Sequence, residues 1–126
     1  MRLEQARAIV KARSYERCEG CGSAEPCDVH HRITRGVGGV RGTAYGTSND
    51  PANMLHLCRA VCHALTLDQP AEAIGRGWVI ERRSGRLAAS TPALLYTVNG
   101  FGWWMPLSDG GYLCCDWEHE YRIPAR

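Results

Sequence analysis

Apolar positions at helical spacing open the chain. Leu3, Ala6, Ile9, Val10 and Arg13 fall on one face of residues 3–14, with Glu and Arg on the other, which predicts an amphipathic helix. The pattern then breaks at "CEGCG" (18–22), a tight glycine-rich knuckle, and "DVHHR" (28–32) reads as a short strand. Residues 33–52, with five Gly and two Arg, form a long polar loop. A loop of that length in a compact domain is usually functional or disordered. "NMLHLC" (53–58) predicts a second strand and "AVCHALTL" (60–67) a short helix. Asp68–Pro70 ends it, and Pro70 suits the first turn of another short helix through Ile74.

The remainder has strand character. "GWVIERR" precedes Ser84–Gly85, "LLYTV" precedes the hairpin signal Asn99–Gly100, and "FGWWMPL" leads through "SDGG" to "YLCCDW". These segments predict a small antiparallel β-meander with Trp103, Trp104 and Trp117 supplying its apolar area. The expected class is α+β. Residues 1–83 form the core with its knuckle, and 84–126 form a β-rich extension packed on it.

At 126 residues the core is thin, so a structural metal would help the fold. The N-terminus has no apolar leader-like run, and no stretch approaches membrane-spanning length, so a cytoplasmic protein with no membrane partner is expected. Net charge is only +2, but residues 1–86 carry 13 basic and 9 acidic groups, against 2 and 4 in residues 87–126. The first part is thus mildly basic, which permits a polyanion partner.

Seven cysteines in a reducing compartment point to metal ligands before disulfides. Cys18-x-x-Cys21 supplies one half of a tetrahedral zinc site and Cys58-x-x-x-Cys62 the other, although the second spacing is one residue longer than the usual knuckle. Cys27 is the alternative fourth ligand. Cys114 and Cys115 are adjacent on a strand, would point to opposite faces, and are read as structural. The cysteine site would bring His30 and His31 near His63. On a strand the two neighbours face opposite ways, which suits one as a ligand for a divalent cation and the other as the base that takes a proton from water. His63 offers a second ligand, and the Asn53 amide could hold the long loop and orient the base. His56 and His119 are expected to pack or to be solvated. Arg32, Arg35 and Arg41 flank the histidines as candidate contacts to a polyanion such as a nucleic-acid backbone. Gly36, Gly38 and Gly39 could let the loop backbone approach phosphates.

In this order, the cysteine pair, "DVHHR", "RGVGG", Asn53 before an apolar strand, Cys62-His63 and "PAEAIGRGW" resemble the HNH endonucleases, and more closely the zinc-knuckle HNH proteins of actinobacterial phages. The resemblance covers about residues 7–112. It implies a ββα-metal fold and metal-dependent hydrolysis of phosphodiester bonds in DNA. It makes His30 the first metal ligand, His31 the general base, Asn53 the middle residue of the motif and His63 the helix-borne ligand. Cys18, Cys21, Cys58 and Cys62 would hold structural zinc. The cation would be Mg²⁺ or Mn²⁺, with Zn²⁺ or Ni²⁺ also suited to imidazoles. Many members carry a further ligand one helical turn after the "CH" histidine. Leu67 stands there in this chain, and Asp68, one residue on, is the candidate replacement. The resemblance also implies a monomer or weak dimer that nicks or cuts with low sequence specificity and assists genome packaging with phage terminase subunits. A zinc-stabilised DNA-binding or structural module without catalysis is the alternative.

Overall fold

The computed structural model describes residues 1–33, 49–115 and 122–126. It is mixed α and β, with two small antiparallel sheets. Helix α1 (Leu3–Arg13) buries Ala6, Val10 and Arg13. Strand β1 (Cys27–His31) pairs with β2 (Met54–Cys58), His30 opposite Leu55 and His31 opposite Met54. A 3-10 turn, Pro51–Asn53, leads into β2, and a π-turn, Arg59–His63, leaves it. Short helices α2 (Ala64–Asp68) and α3 (Pro70–Gly75) follow. The second sheet runs in the order β3 (Ala93–Thr97), β4 (Gly100–Pro106), β5 (Tyr112–Cys114) and β6 (Arg122–Ile123). The β3–β4 hairpin forms as expected, but its two loop residues are Val98 and Asn99: Thr97 pairs with Gly100, whose φ of 109° favours glycine there.

The β1–β2 hairpin is covered on both faces. Met54 and Val29 pack against Ala6 and Val10 of α1. Leu55 and Leu57 enter a larger core with Trp78, Ala93, Leu95, Trp104 and Tyr112, so the C-terminal sheet shares the core of the hairpin. Residues 77–83 are not the expected strand. After α3 the chain runs irregularly to a 3-10 turn, Arg82–Ser84. The cause is Trp78, which is fully buried and donates its ring N–H to Leu94 O at 2.9 Å. Gly77, at φ 71°, passes so close to Pro92 that a Cβ would lie 2.1 Å from its carbonyl oxygen. Trp104 is buried, and its neighbour Trp103, on the other face of β4, is 43% exposed, the alternation of a strand with one covered face. Trp117 lies outside the described residues.

The knuckle joins the two sheets. The Glu19 N–H donates to His56 O in β2 at 2.7 Å, and the Glu19 carbonyl accepts from Tyr96 N–H in β3 at 2.8 Å. Its buried carboxylate receives Arg13 through Nε at 2.9 Å and Nη2 at 3.0 Å, the His56 N–H at 2.8 Å and the Tyr112 hydroxyl at 2.5 Å. Arg13 also donates to Pro51 O at 2.6 Å and to Met54 O. A position on the apolar face of the first helix is thus an ionic anchor for α1, the knuckle, β2 and β5.

Candidate functional site

Cys18 and Cys21 come from the knuckle, Cys58 ends β2 and Cys62 sits in the π-turn. Their sulfur atoms all lie within 4.8 Å of one another, and the four thiols together can hold a metal ion. The long second spacing is absorbed by the π-turn, whose wider winding returns Cys62 to the side of Cys58. Backbone N–H groups point at the sulfurs. Gly20 and Cys58 donate to Cys18 Sγ at 3.3 and 3.1 Å, and Cys62 donates to Cys58 Sγ at 3.3 Å. A hydrogen bond from the Cys62 thiol, followed by those backbone donors, pulls the Cys18 thiol down to about 5 against the opposing effect of burial. The Cys62 thiol is pushed up by the same pairing with Cys18. A cation would take the place of the shared protons. Cys27 is not in the cluster: its Sγ donates to Glu25 O at 3.2 Å, and burial pushes its thiol up to about 12. Gly20 is required by packing, because a Cβ there would lie 2.8 Å from the Trp78 ring and 2.9 Å from Cys62 Sγ.

The structure brings His30 and His63 together, with ring centroids 5.5 Å apart. His30 is buried, and its Nε2 meets the Trp78 carbonyl at 2.9 Å. A carbonyl only accepts, so Nε2 carries the proton and Nδ1 keeps its lone pair. Burial lowers the ring's pKa to about 4, which keeps it neutral near pH 7. His63 Nδ1 lies 3.1 Å from Asp28 Oδ2. Hydrogen bonds, first from Arg59 and then from His63, hold the Asp28 carboxyl below its usual range, so it too is an acceptor. In neutral His63 the lone pair is therefore on Nε2. Each imidazole has one nitrogen fixed by an oxygen acceptor and one left for a cation, the arrangement in which metal-binding histidines are held.

Asp28 is the residue that sequence reasoning missed. Its signal was its place two residues before His30, on the same face of β1. Arg59 reaches it from the π-turn, with Nε at 3.2 Å from both carboxylate oxygens and Nη2 at 2.9 Å from Oδ1. Asp68 does not take the expected part: it is exposed at the end of α2, and five residues of helical winding turn it about 140° from His63. Leu67 is 76% exposed. Among the described residues, the four cysteines are the one group that brings three or more such ligand atoms within 4.8 Å.

His31 falls on the opposite face of β1 from His30, beside Val29 and Met54 by register. Buried Asn53 holds the start of the long loop: its Oδ1 accepts Ile33 N–H at 2.8 Å and its Nδ2 donates to Ile33 O at 3.4 Å. His56 is buried, its Nδ1 3.2 Å from both Ser14 Oγ and Arg17 O.

Arg32 is a correction. Expected at a DNA surface, it is 0% exposed. Its guanidinium donates to Gly77 O at 2.9 Å, Ala52 O at 3.1 Å, Ala88 O at 3.0 Å, Thr91 O at 2.6 Å and Pro92 O at 3.4 Å. All five N–H groups end on carbonyls of irregular chain, and burial lowers the group to about 10. Arg35, Arg41, Gly36, Gly38, Gly39 and His119 lie outside the described residues. Among the described residues, no helix is long and apolar enough to cross a membrane.

No family model matches the chain, and neither a curated protein nor a solved structure matches it.

Proposed function

We propose that this chain is a metal-dependent DNA endonuclease of the HNH type, stapled by zinc at Cys18, Cys21, Cys58 and Cys62. The observation that carries the reading is the approach of the His30 ring on β1 and the His63 ring beyond β2 to 5.5 Å between centroids, each with one nitrogen fixed by an oxygen acceptor. The β1–β2 hairpin and the π-turn and helix after it would then form the ββα-metal unit. A divalent cation held by His30 and His63 would supply charge to the phosphate and the leaving 3′ oxygen. His31 is the proposed base that takes a proton from water. Asn53 is a positioning residue, tying the loop that follows His31 and Arg32. With one such site per chain, a monomer would nick one strand at a time. Work beside a phage terminase in the host cytoplasm rests on the resemblance alone.

A zinc-stabilised binding module without catalysis is the second reading. It is favoured by the lack of a ligand at exposed Leu67 and by Arg59 pairing with Asp28. The test is supercoiled plasmid incubated with purified protein and Mg²⁺, Mn²⁺ or Ni²⁺, beside His31→Ala and an EDTA control. Relaxation or linearisation by the wild type and not by His31→Ala is expected. If neither protein acts with any metal while both are folded and zinc-loaded, the binding module replaces the nuclease.

A further inference from the structure

Internal Arg32 cannot grip a DNA backbone, and other exposed arginines among the described residues stand near the histidines. We propose that Arg82, Arg83 and Arg86 form a ridge that contacts the phosphates of duplex DNA. The inference rests on the nuclease reading and gives it a substrate-binding surface.

Three observations place the ridge. The chain from Trp78 to Ile80 runs along the end of β1, with the Trp78 carbonyl on His30 Nε2 at 2.9 Å and the Ile80 N–H on Arg32 O at 2.9 Å. Arg82 and Arg83 follow Ile80 by two and three residues, at most about 10 Å of extended chain. They are thus tethered beside the strand that carries His30 and His31. Next, the ridge stands in solvent. Residues 81–87 are all exposed, and Gly85, in the left-handed region at φ 71°, would have open space around a Cβ. Finally, its charge is unspent. Residues 77–86 hold three Arg against one acidic residue, Glu81, a net of +2. Among the described residues none of the three arginines has an ion-pair partner, whereas Arg13, Arg59 and Arg76 each do.

Guanidinium groups match phosphate oxygens in a planar, two-pronged fit. Three of them on one short turn suit a repeating polyanion better than a single carboxylate. Arg86 also lines a cavity of about 570 Å³ with Ser84 and half-exposed Trp103, which continues the surface toward β4.

The test is the salt dependence of binding to a short duplex, measured by fluorescence anisotropy. It uses full-length zinc-loaded protein in the His31→Ala background, with and without Arg82→Ala, Arg83→Ala and Arg86→Ala together. Each lost phosphate contact should reduce the slope of log affinity against log salt by about 0.9, so the triple variant should lose about 2.7. A fourfold rise in salt would then weaken the parent by about 40-fold more than the variant. The triple Arg→Lys variant should keep the parent slope, which separates lost charge from a damaged fold. An unchanged slope in the alanine variant overturns the ridge, and if His31-intact protein still cuts plasmid the nuclease reading stands. Failure of the parent to bind duplex at all, or binding to single-stranded RNA alone, overturns both.

Discussion

Arg32→Ala is the substitution on which the structural and functional readings of this chain part most sharply. The guanidinium is wholly enclosed and gives one N–H to each of Gly77, Ala52, Ala88, Thr91 and Pro92, the last at a marginal 3.4 Å. Alanine leaves the Gly77, Ala52 and Thr91 carbonyls, and marginally that of Pro92, without this donor, whereas Ala88 O keeps the Thr91 N–H at 3.3 Å. An unsatisfied buried polar group costs about 1–3 kcal/mol. Water entering the vacated space would recover part of that, and neighbouring deletions do not add fully. The low end of the range is therefore the better guide, about 4 kcal/mol in total. A domain of this kind has about 5–15 kcal/mol of stability in all. With an unfolding entropy of about 2.1 cal/mol/K per residue, 4 kcal/mol corresponds to roughly 15 °C in Tm.

Urea and thermal unfolding of the zinc-loaded protein measure this directly, followed by circular dichroism. Arg32→Lys should fall between the wild type and alanine, because an ammonium has three donors at one point where the guanidinium has five spread over a plane. If Arg32→Ala unfolds within about 0.5 kcal/mol of the wild type, as an exposed residue would, and instead lowers the salt slope of DNA binding, the enclosed arrangement is refuted.

Asp28→Ala removes the oxygen that fixes His63. It should weaken binding of Mn²⁺ or Ni²⁺ by roughly 10–100-fold in calorimetry, with structural zinc retained; equal affinity would show that Asp28 does not position the ring. Gly20→Ala drives a methyl into Trp78 and Cys62 Sγ. It should lower zinc retention against a chelator and stability together, by about 1–3 kcal/mol for the latter; unchanged zinc release would contradict the close packing. His30 titrates at about 4 in the fold against 6.5 outside it, so the unfolded chain binds the extra proton. Without a second cation, its contribution to stability should be complete above pH 6.5 and fall as pH drops toward 4. His30→Gln should flatten that part of the pH–stability curve.

Some of this was legible in the sequence. The α1 span, the β3–β4 hairpin and the four-cysteine frame all rest on local signals: helical spacing, a turn dipeptide and ligand pairs. The convergence of His30 and His63 followed once the cysteines were paired. What failed was local reading of residues whose role is set by distant chain. Arg32 next to two histidines looks like a solvent-facing charge, and only the carbonyls of residues 52, 77, 88, 91 and 92 make it internal. "GWVIERR" has strand composition, but Trp78 is drawn under the knuckle, and among the described residues no strand pairs with the segment. Asp28 was passed over because the partner that gives it meaning, His63, is 35 residues away.

The two buried arginines explain how so thin a core holds irregular chain. Short 3-10 turns and bends leave carbonyls that no ladder satisfies, and an apolar side chain cannot satisfy them either. Arg13 donates to the carbonyls of Pro51, in the 3-10 turn, and of Met54, at the start of β2, and Arg32 to those of Ala52, Gly77 and Ala88. Arg32 thereby fixes Gly77, the residue before the Trp78 carbonyl that sets the His30 tautomer. Its removal would disturb the site through that carbonyl without any contact to DNA. Loss of cleavage in Arg32→Ala is consequently no evidence of a DNA contact at this position. The discriminating quantity is the salt slope, which should stay at its wild-type value for any Arg32→Ala molecules that remain folded and should fall for the variants of Arg82, Arg83 and Arg86.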